Sequence, residues 1–233
     1  MGFTPSFPWF PHVEIFITRN QLFKHIKKSI PFFKGKLLDV GCGVMPYRDF
    51  IKENASIDEY VGMDLPNSSV YKGIQPDLLW DGFHIPLPEN SVDSVLLTEV
   101  LEHCPEPKLV LKDIHRVLKL EGTVIFSVPF IWYLHESPWD FYRYTPFAIK
   151  KMFEENGFAF ELLETYGSND LSFLHSYLIW LKKGALPKFI RFGIYLISLP
   201  LILLFLAFAK GKNRTEFKDG QIFIGIVGVA KKI

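Results

Sequence analysis

Cysteine is scarce in this chain of 233 residues: only Cys42 and Cys104 occur. Two thiols do not make a disulfide framework, and they fit a reducing cytosol. Charge of one sign is also missing. Lys and Arg number 26 against 25 Asp and Glu, a formal net charge of +1, so there is no global electrostatic case for nucleic acid. The one glycine-rich turn carries no Gly-Lys-Ser/Thr, which excludes a Walker phosphate loop, and Pro46 stands where the dinucleotide G-x-G-x-x-G pattern needs its third glycine. The opening residues lack the charged-then-apolar plan of a secretion signal. Met1-Gly2 with Ser6 has the outline of a myristoylation site, but Pro5 lies inside it and the outline is discounted.

What is present is a succession of short apolar runs that end in acids. Lys36-Leu-Leu-Asp39-Val-Gly41-Cys-Gly43-Val-Met-Pro-Tyr-Arg48 reads as a strand breaking into a tight turn. Glycines there let the backbone turn sharply and come close to a nucleotide-like ligand. Tyr60-Val-Gly-Met-Asp64-Leu65 is a second such strand. Its acid, about 20 residues beyond the glycines, is placed to accept hydrogen bonds from both hydroxyls of a ribose. Asp77-Leu-Leu-Trp-Asp81-Gly82-Phe83 follows, then Ser91-Val-Asp-Ser-Val-Leu-Leu-Thr98 running into Glu99-Val-Leu-Glu102-His103, and then a further strand, Gly122 to Pro129. The spacing predicts a helix from Arg19 to Ile30, a sixth strand over Phe158–Glu164 and a seventh over Gln221–Ala230.

These residues together resemble the class I S-adenosylmethionine-dependent methyltransferases of the small-molecule type. The resemblance is carried by Asp39-x-Gly41-x-Gly43, Asp64, Asp81-Gly82, Glu99 to His103 and Leu120-Glu-Gly122, over roughly residues 36 to 165 and a last strand near the C-terminus. It is closer still to a bacterial branch with Gly-Cys-Gly-x-x-Pro-Tyr-Arg in the first turn and a downstream His135-x-x-Pro138-x-Asp140-x-x-Arg143-x-Thr145 segment. Met45 departs from the commoner third glycine, a change this branch tolerates. The resemblance implies an α/β, Rossmann-like, doubly wound sheet of seven strands with the last antiparallel. It implies S-adenosylmethionine as cofactor, held around Asp39, Gly41, Cys42, Gly43, Asp64, Leu65, Asp81, Gly82, Thr98 and Glu99. In that scheme Gly41–Gly43 face the methionine part and Asp39 sits near its ammonium, directly or through water. Asp64 takes the ribose, Leu65 and Asp81-Gly82 the adenine, and Thr98 and Glu99 line the cofactor beneath the methyl. Cys42 also reads simply as a small residue filling a tight turn.

Acceptor-side candidates are His135, Asp140, Arg143, Tyr144 and His103. His135 has the proton affinity of a general base near neutrality, and the fork of Arg143 suits a carboxylate or phosphate oxygen. The same residues allow a structural reading, with Asp140 and Arg143 as an ion pair and Thr145 capping a helix that has Pro146 at its first position. Helical spacing would put Glu99, Glu102 and His103 on one face, where some similar methyltransferases bind a divalent metal and many bind none. No residue is assigned to a metal on this basis.

The hydrophobic fraction, 48% with 23 phenylalanines, is high for a soluble domain of this size. Part lies in the aromatic, proline-rich Phe3–Pro11. Most lies in an uncharged run from Phe192 to Ala209, preceded by Lys182, Lys183, Lys188 and Arg191 and followed by Lys210, Lys212 and Arg214. About 18 residues is the threshold for crossing a bilayer. The strands before and after belong to one sheet, so a single crossing is excluded. A re-entrant or interfacial helical hairpin over 171–210 remains, with Pro200 bending its second helix. Cations at both ends favour anionic cytoplasmic lipid; the alternative is a buried pair packed on its own domain or on a second copy.

The expected organisation is an N-terminal segment and helix over 1–35, a methyltransferase domain over 36–168 and 215–233, and the insertion over 169–214. The expected function is transfer to an oxygen or nitrogen of a small or lipid-linked acceptor (glycan, quinone or lipid) at the inner face of the cytoplasmic membrane. The alternatives are a methyltransferase for a soluble metabolite, dimerising through the insertion, and a non-catalytic cofactor-binding protein. Relatives with this motif set look like enzymes of bacterial polysaccharide or lipid-linked glycan pathways. Nucleic acid is not an expected partner, because no Asn-Pro-Pro-Tyr/Trp-like segment follows the fourth strand.

Overall fold

The computed structural model describes residues 4–66, 75–208 and 213–233. Met1, Gly2, Phe3, Ala209, Lys210 and Lys212 lie outside the described residues, and with them the myristoylation outline and part of the basic flank.

Seven strands form one sheet: β1 (Lys34–Val40), β2 (Ser56–Asp64), β3 (Leu78–Leu79), β4 (Val92–Thr98), β5 (Leu118–Pro129), β6 (Phe158–Tyr166) and β7 (Gly225–Lys232). Their spatial order is β3-β2-β1-β4-β5-β7-β6. Pairings among β1 to β5 are parallel, and β7 is antiparallel to both neighbours. The parallel strands read as continuous apolar runs because helices cover both faces. Leu37, Leu38 and Val40 in β1, and Val95, Leu96 and Leu97 in β4, have no exposed surface; each such side chain contributes about 1.5–3 kcal/mol of burial free energy.

The predicted first helix is α1 (Phe16–Lys28), three residues earlier at its start and two at its end than the sequence reading. With α2 (Arg48–Asn54) it covers one face of the sheet, where Ile26 and Ile51 pack with Leu37, Leu96 and Ile125. The other face is covered by α3 (Pro107–Val117) and α4 (Pro146–Glu154). Both start on proline at a helix N-terminus, where the missing N–H is not needed. Thr145 caps α4 as the sequence predicts, its Oγ1 accepting from the Ala148 amide at 3.3 Å.

Between β6 and β7 come α5 (Asn169–Lys183) and α6 (Lys188–Phe208). Tyr166 at the end of β6 pairs with Gly225 at the start of β7, so the insertion leaves and re-enters the sheet at one place, as a hairpin must. β6 runs parallel to β1–β5, which puts that place at the carboxyl edge. The N-terminal segment, which the sequence reading set apart, packs on this hairpin. Phe10, Val13, Ile17 and Leu22 share a core with Leu174, Leu178, Leu181, Tyr195 and Ile202, and the Tyr195 hydroxyl donates to the Pro8 carbonyl at 3.0 Å.

Candidate functional site

In an open α/β sheet, ligands bind beyond the carboxyl ends of the strands where the strand order reverses. Here that point lies between β1, with β2 on one side, and β4 on the other. The first turn sits on it. Gly41 has φ +68°, and a Cβ there would come within 2.4 Å of Val100 Cγ2, so the turn and the end of β4 touch only because position 41 is glycine.

The end of β2 is tied to that turn through Asp64, whose Oδ2 accepts from the Gly43 amide at 2.7 Å and Oδ1 from the Leu65 amide at 2.7 Å. Burial raises its pKa from the ordinary carboxylate value, against the lowering effect of those two amides. Each oxygen keeps a lone pair for a ribose hydroxyl. β3 runs beside the end of β2, with Asp64 paired to Leu79, and so brings Asp81-Gly82 alongside. A Cβ on Gly82 would lie 3.7 Å from Leu65 Cδ2, and Leu65 is exposed. An apolar side chain next to a bare glycine makes a flat slot suited to an adenine ring. Asp81 is an exposed turn acid whose Oδ1 accepts from the Phe83 and His84 amides at 2.8 and 2.6 Å, and those bonds lower its pKa. Gly41, Gly43, Asp64, Leu65, Asp81 and Gly82 therefore follow one another along one edge, and they fit S-adenosylmethionine.

The turn itself is closely packed. The Gly41 and Cys42 amides donate to Met63 O at 2.8 and 3.1 Å, and the Gly43 amide to Asp64, so the turn offers clearance rather than free donors. The Cys42 side chain is buried in the core beside Gly62 and Met45, and burial pushes its thiol pKa up. Asp39 is only 2% exposed and accepts from the Tyr60 hydroxyl at 2.5 Å, so its carboxylate lies beneath the turn rather than in the open cleft. Tyr60 was not picked out in the sequence, although it lies four residues ahead of Asp64 on the same strand.

Burial raises the Asp39 pKa from 3.8 to about 7, opposed by the Tyr60 hydrogen bond and reinforced by Asp64. The folded chain thus holds a proton that the unfolded chain releases. This group's contribution to stability is therefore present below pH 4 and is lost as pH rises towards 7. We expect the melting temperature of the ligand-free Asp39→Asn variant to overtake that of the unmodified chain as pH is raised from 5 to 8. Parallel melting curves for the two would contradict the assignment.

Thr98 ends β4 paired with Ser127. Glu99 follows with φ +55°, a left-handed conformation that costs a non-glycine residue of order 1 kcal/mol. Its Oε1 accepts from Ser127 Oγ at 2.7 Å and its amide donates to Ser127 O at 3.0 Å, and burial raises its pKa above the ordinary carboxylate range. Ser127 was missed as its partner, since only the β4–β5 register brings the two together.

The loop after β5, which holds the residues the sequence reading set on the acceptor side, is anchored to the Leu101–His103 turn. The Phe141 amide donates to Glu102 O at 2.8 Å, the Tyr144 hydroxyl to Leu101 O at 3.0 Å, and the His103 Nδ1–H to Trp139 O at 2.6 Å. Asp140, with 1% of its side chain exposed, takes both arms of the Arg143 fork at 2.6 and 2.8 Å. It also accepts from the His135 amide and ring Nδ1, both at 3.1 Å. The Arg143 guanidinium hydrogen-bonded to it holds the Asp140 carboxyl well below the usual carboxylate range. The ion pair that the sequence left open thus exists, and it occupies Arg143. Glu99 does not share a helical face with Glu102 and His103, because the segment is a single 3-10 turn with Glu99 outside it. His135 takes that place instead, its ring 4.7 Å from that of His103.

Residues 38–126 match the family described as "Methyltransferase domain". Demethylmenaquinone methyltransferase of Staphylococcus epidermidis is 30% identical over 112 residues, 44% of this chain and 46% of its own. Malonyl-[acyl-carrier protein] O-methyltransferase of Hamiltonella defensa is 27% identical over 99 residues, 40% and 38% of the two chains. The chain spans about a quarter to just over half the length of the curated relatives it matches. Among solved structures, an S-adenosylmethionine-dependent methyltransferase from Archaeoglobus fulgidus superposes with a TM-score of 0.58 at 17% identity, over 93% of each chain. The fold is the Rossmann-like fold of that structure, and the matched segment, residues 38–126, spans β1 through most of β5.

Proposed function

We propose that this protein is an S-adenosylmethionine-dependent methyltransferase of the bacterial branch marked by the Gly41–Arg48 and His135–Thr145 segments, acting on a hydroxyl or amine of a lipid-linked acceptor at the cytoplasmic face of the membrane. The observation that carries the methyl-transfer part is the continuous edge from Gly41 through Asp64 to Gly82, which fits the cofactor's three parts in order. Transfer from a sulfonium is an in-line displacement with a neutral leaving thioether, so positioning and removal of the acceptor proton are the protein's tasks.

The membrane part rests on α6. It is 21 residues long and is the one described helix apolar and long enough to cross a membrane. Only Tyr195 and Ile202 of it are buried, while Ile197, Leu201 and Phe208 are 82%, 68% and 77% exposed. An open apolar groove of about 640 Å³ runs between α5 and α6, lined by Phe173, Tyr177, Leu201 and Phe205 among others. An apolar face of this extent is a mark of a membrane or protein contact. The hairpin also touches the acceptor loop. His175 of α5 bonds Ile131 O at 3.1 Å, Trp132 stacks on the His175 ring, and Lys183 lies 4.4 Å over the Tyr133 ring. Leu134, Trp139 and Phe141 on that loop are exposed as well. The two relatives named above act on a quinone and on an acyl group carried by a protein, so kinship alone leaves the acceptor open.

Flotation with vesicles containing anionic lipid is expected to carry the protein upward. The Ile197→Asp/Leu201→Asp variant should partition at least tenfold less, since burying an exposed apolar side chain in lipid is worth about 1.5–3 kcal/mol, with its melting temperature unchanged. A stable dimer that ignores vesicles would transfer the reading to a soluble acceptor. Incubation with methyl-labelled cofactor should label a membrane lipid extract; label only in a soluble metabolite extract would overturn the lipid-linked acceptor.

A further inference from the structure

We infer that Glu102, His103 and His135 form a site for a first-row divalent transition cation, which holds the acceptor oxygen beside the transferring methyl. The chemistry rests on the methyltransferase reading above; the binding does not.

Three features of the geometry point to it. The Glu102 carboxylate has no exposed surface and neither of its oxygens has a hydrogen-bond partner. An uncompensated buried acceptor costs about 1–3 kcal/mol, and more for a charged group. Both imidazoles are fixed in the tautomer that frees Nε2. His103 Nδ1 faces a carbonyl oxygen, Trp139 O, and His135 Nδ1 faces the Asp140 carboxylate; neither partner can donate there, so each ring's proton sits on Nδ1 and each Nε2 keeps its lone pair. Metal-binding histidines are commonly oriented in this way, by an acceptor behind the ring. Finally, one ligand atom from each of the three residues lies within 4.8 Å of the others, and His103 Nε2 is 3.8 Å from Glu102 Oε1. Donors about 2.1 Å from a shared ion stand roughly 3–4 Å apart, so closure needs shifts of less than about an ångström.

Two imidazoles and one carboxylate suit zinc, iron(II), cobalt or nickel better than magnesium or calcium, which take oxygen ligands. Three protein ligands leave positions open. Glu136, with 59% of its side chain exposed and an oxygen 3.9 Å from His103 Nε2, stands at the solvent side. An acceptor hydroxyl in an open position gives its proton to Glu136 and thence to water. The resulting alkoxide forms the new O–C bond to the cofactor methyl as the C–S bond breaks, its electron pair staying on sulfur as a neutral thioether. His135, bound through Nε2, is then a ligand and not the general base.

The test is titration of cobalt chloride into the full chain after chelator treatment, read by visible absorption and calorimetry, with zinc chloride as competitor. One equivalent should bind, with ligand-field bands reporting nitrogen ligation. Glu102→Gln and His103→Ala should each weaken binding at least tenfold without loss of the folded melting transition; His103 supplies the readout if the buried Glu102 variant does not fold. Asp64→Asn, on the cofactor side, should leave cobalt affinity unchanged. Absence of saturable binding, or equal affinity in the His103 variant, would overturn the site. Normal cobalt binding by a chain that does not bind S-adenosylhomocysteine would retain the site and remove the methyl-transfer reading.

Discussion

Asp64→Ala should weaken S-adenosylhomocysteine binding by at least about 100-fold, near 3 kcal/mol, in a calorimetric titration. Hydrogen bonds to a charged group are each worth about 1.5–3 kcal/mol, and this carboxylate is held in place by the Gly43 and Leu65 amides with lone pairs left for a ribose. The same carboxylate joins the first turn to the second strand. Its loss removes the acceptor of the Gly43 amide, so the turn itself is expected to loosen, with a stability loss of about 1 kcal/mol because water can reach the freed amides. Asp64→Asn keeps one acceptor oxygen and should fall between. Unchanged affinity in the alanine variant would mean that the cofactor does not lie along this edge.

Asp140→Ala has the largest expected effect on folding. Its side chain is 1% exposed and answers both arms of Arg143 as well as the amide and ring of His135. Removing one member of a buried pair strands the other and costs about 3–5 kcal/mol. Arg143 keeps a quarter of its side chain in solvent, which moves the expectation to the lower figure, about 3 kcal/mol. For a chain of this size that is a fall in melting temperature of roughly 6–12 °C, readable by calorimetry. Arg143→Met added to Asp140→Ala should recover part of the loss, because the stranded charge is gone. A double variant no better than the single one would assign the cost to the His135 contacts instead.

The sequence made the sheet legible because parallel strands buried on both faces leave unbroken apolar runs, and the runs from Leu37, Tyr60, Val92 and Val124 end where the strands do. The hairpin was legible for a topological reason: two strands of one sheet must lie on the same side of a membrane. The cap at Thr145 follows from local spacing, which left the pair between Asp140 and Arg143 open. What the sequence could not supply were relations set by strand register. Ser127 reaches Glu99 only because β4 and β5 pair with Thr98 opposite Ser127. Asp39 meets Tyr60 only because the β1–β2 register pairs Tyr60 with Leu37, two residues before Asp39 and on the same face of the sheet. The exchange of Glu99 for His135 beside Glu102 has the same cause: helical spacing predicted one face, whereas the backbone turns at Glu99 and a loop some 30 residues on folds over the turn. The N-terminal aromatic segment carries no periodicity that would have announced its place against α5.

Titration of S-adenosylmethionine and S-adenosylhomocysteine into the unmodified chain addresses the central claim most directly. Saturable 1:1 binding of both, abolished or weakened at least about 100-fold by Asp64→Ala and left intact by Ile197→Asp/Leu201→Asp, is the expected result. A folded chain that takes up neither compound would contradict the account of the edge formed by Gly41, Asp64 and Gly82.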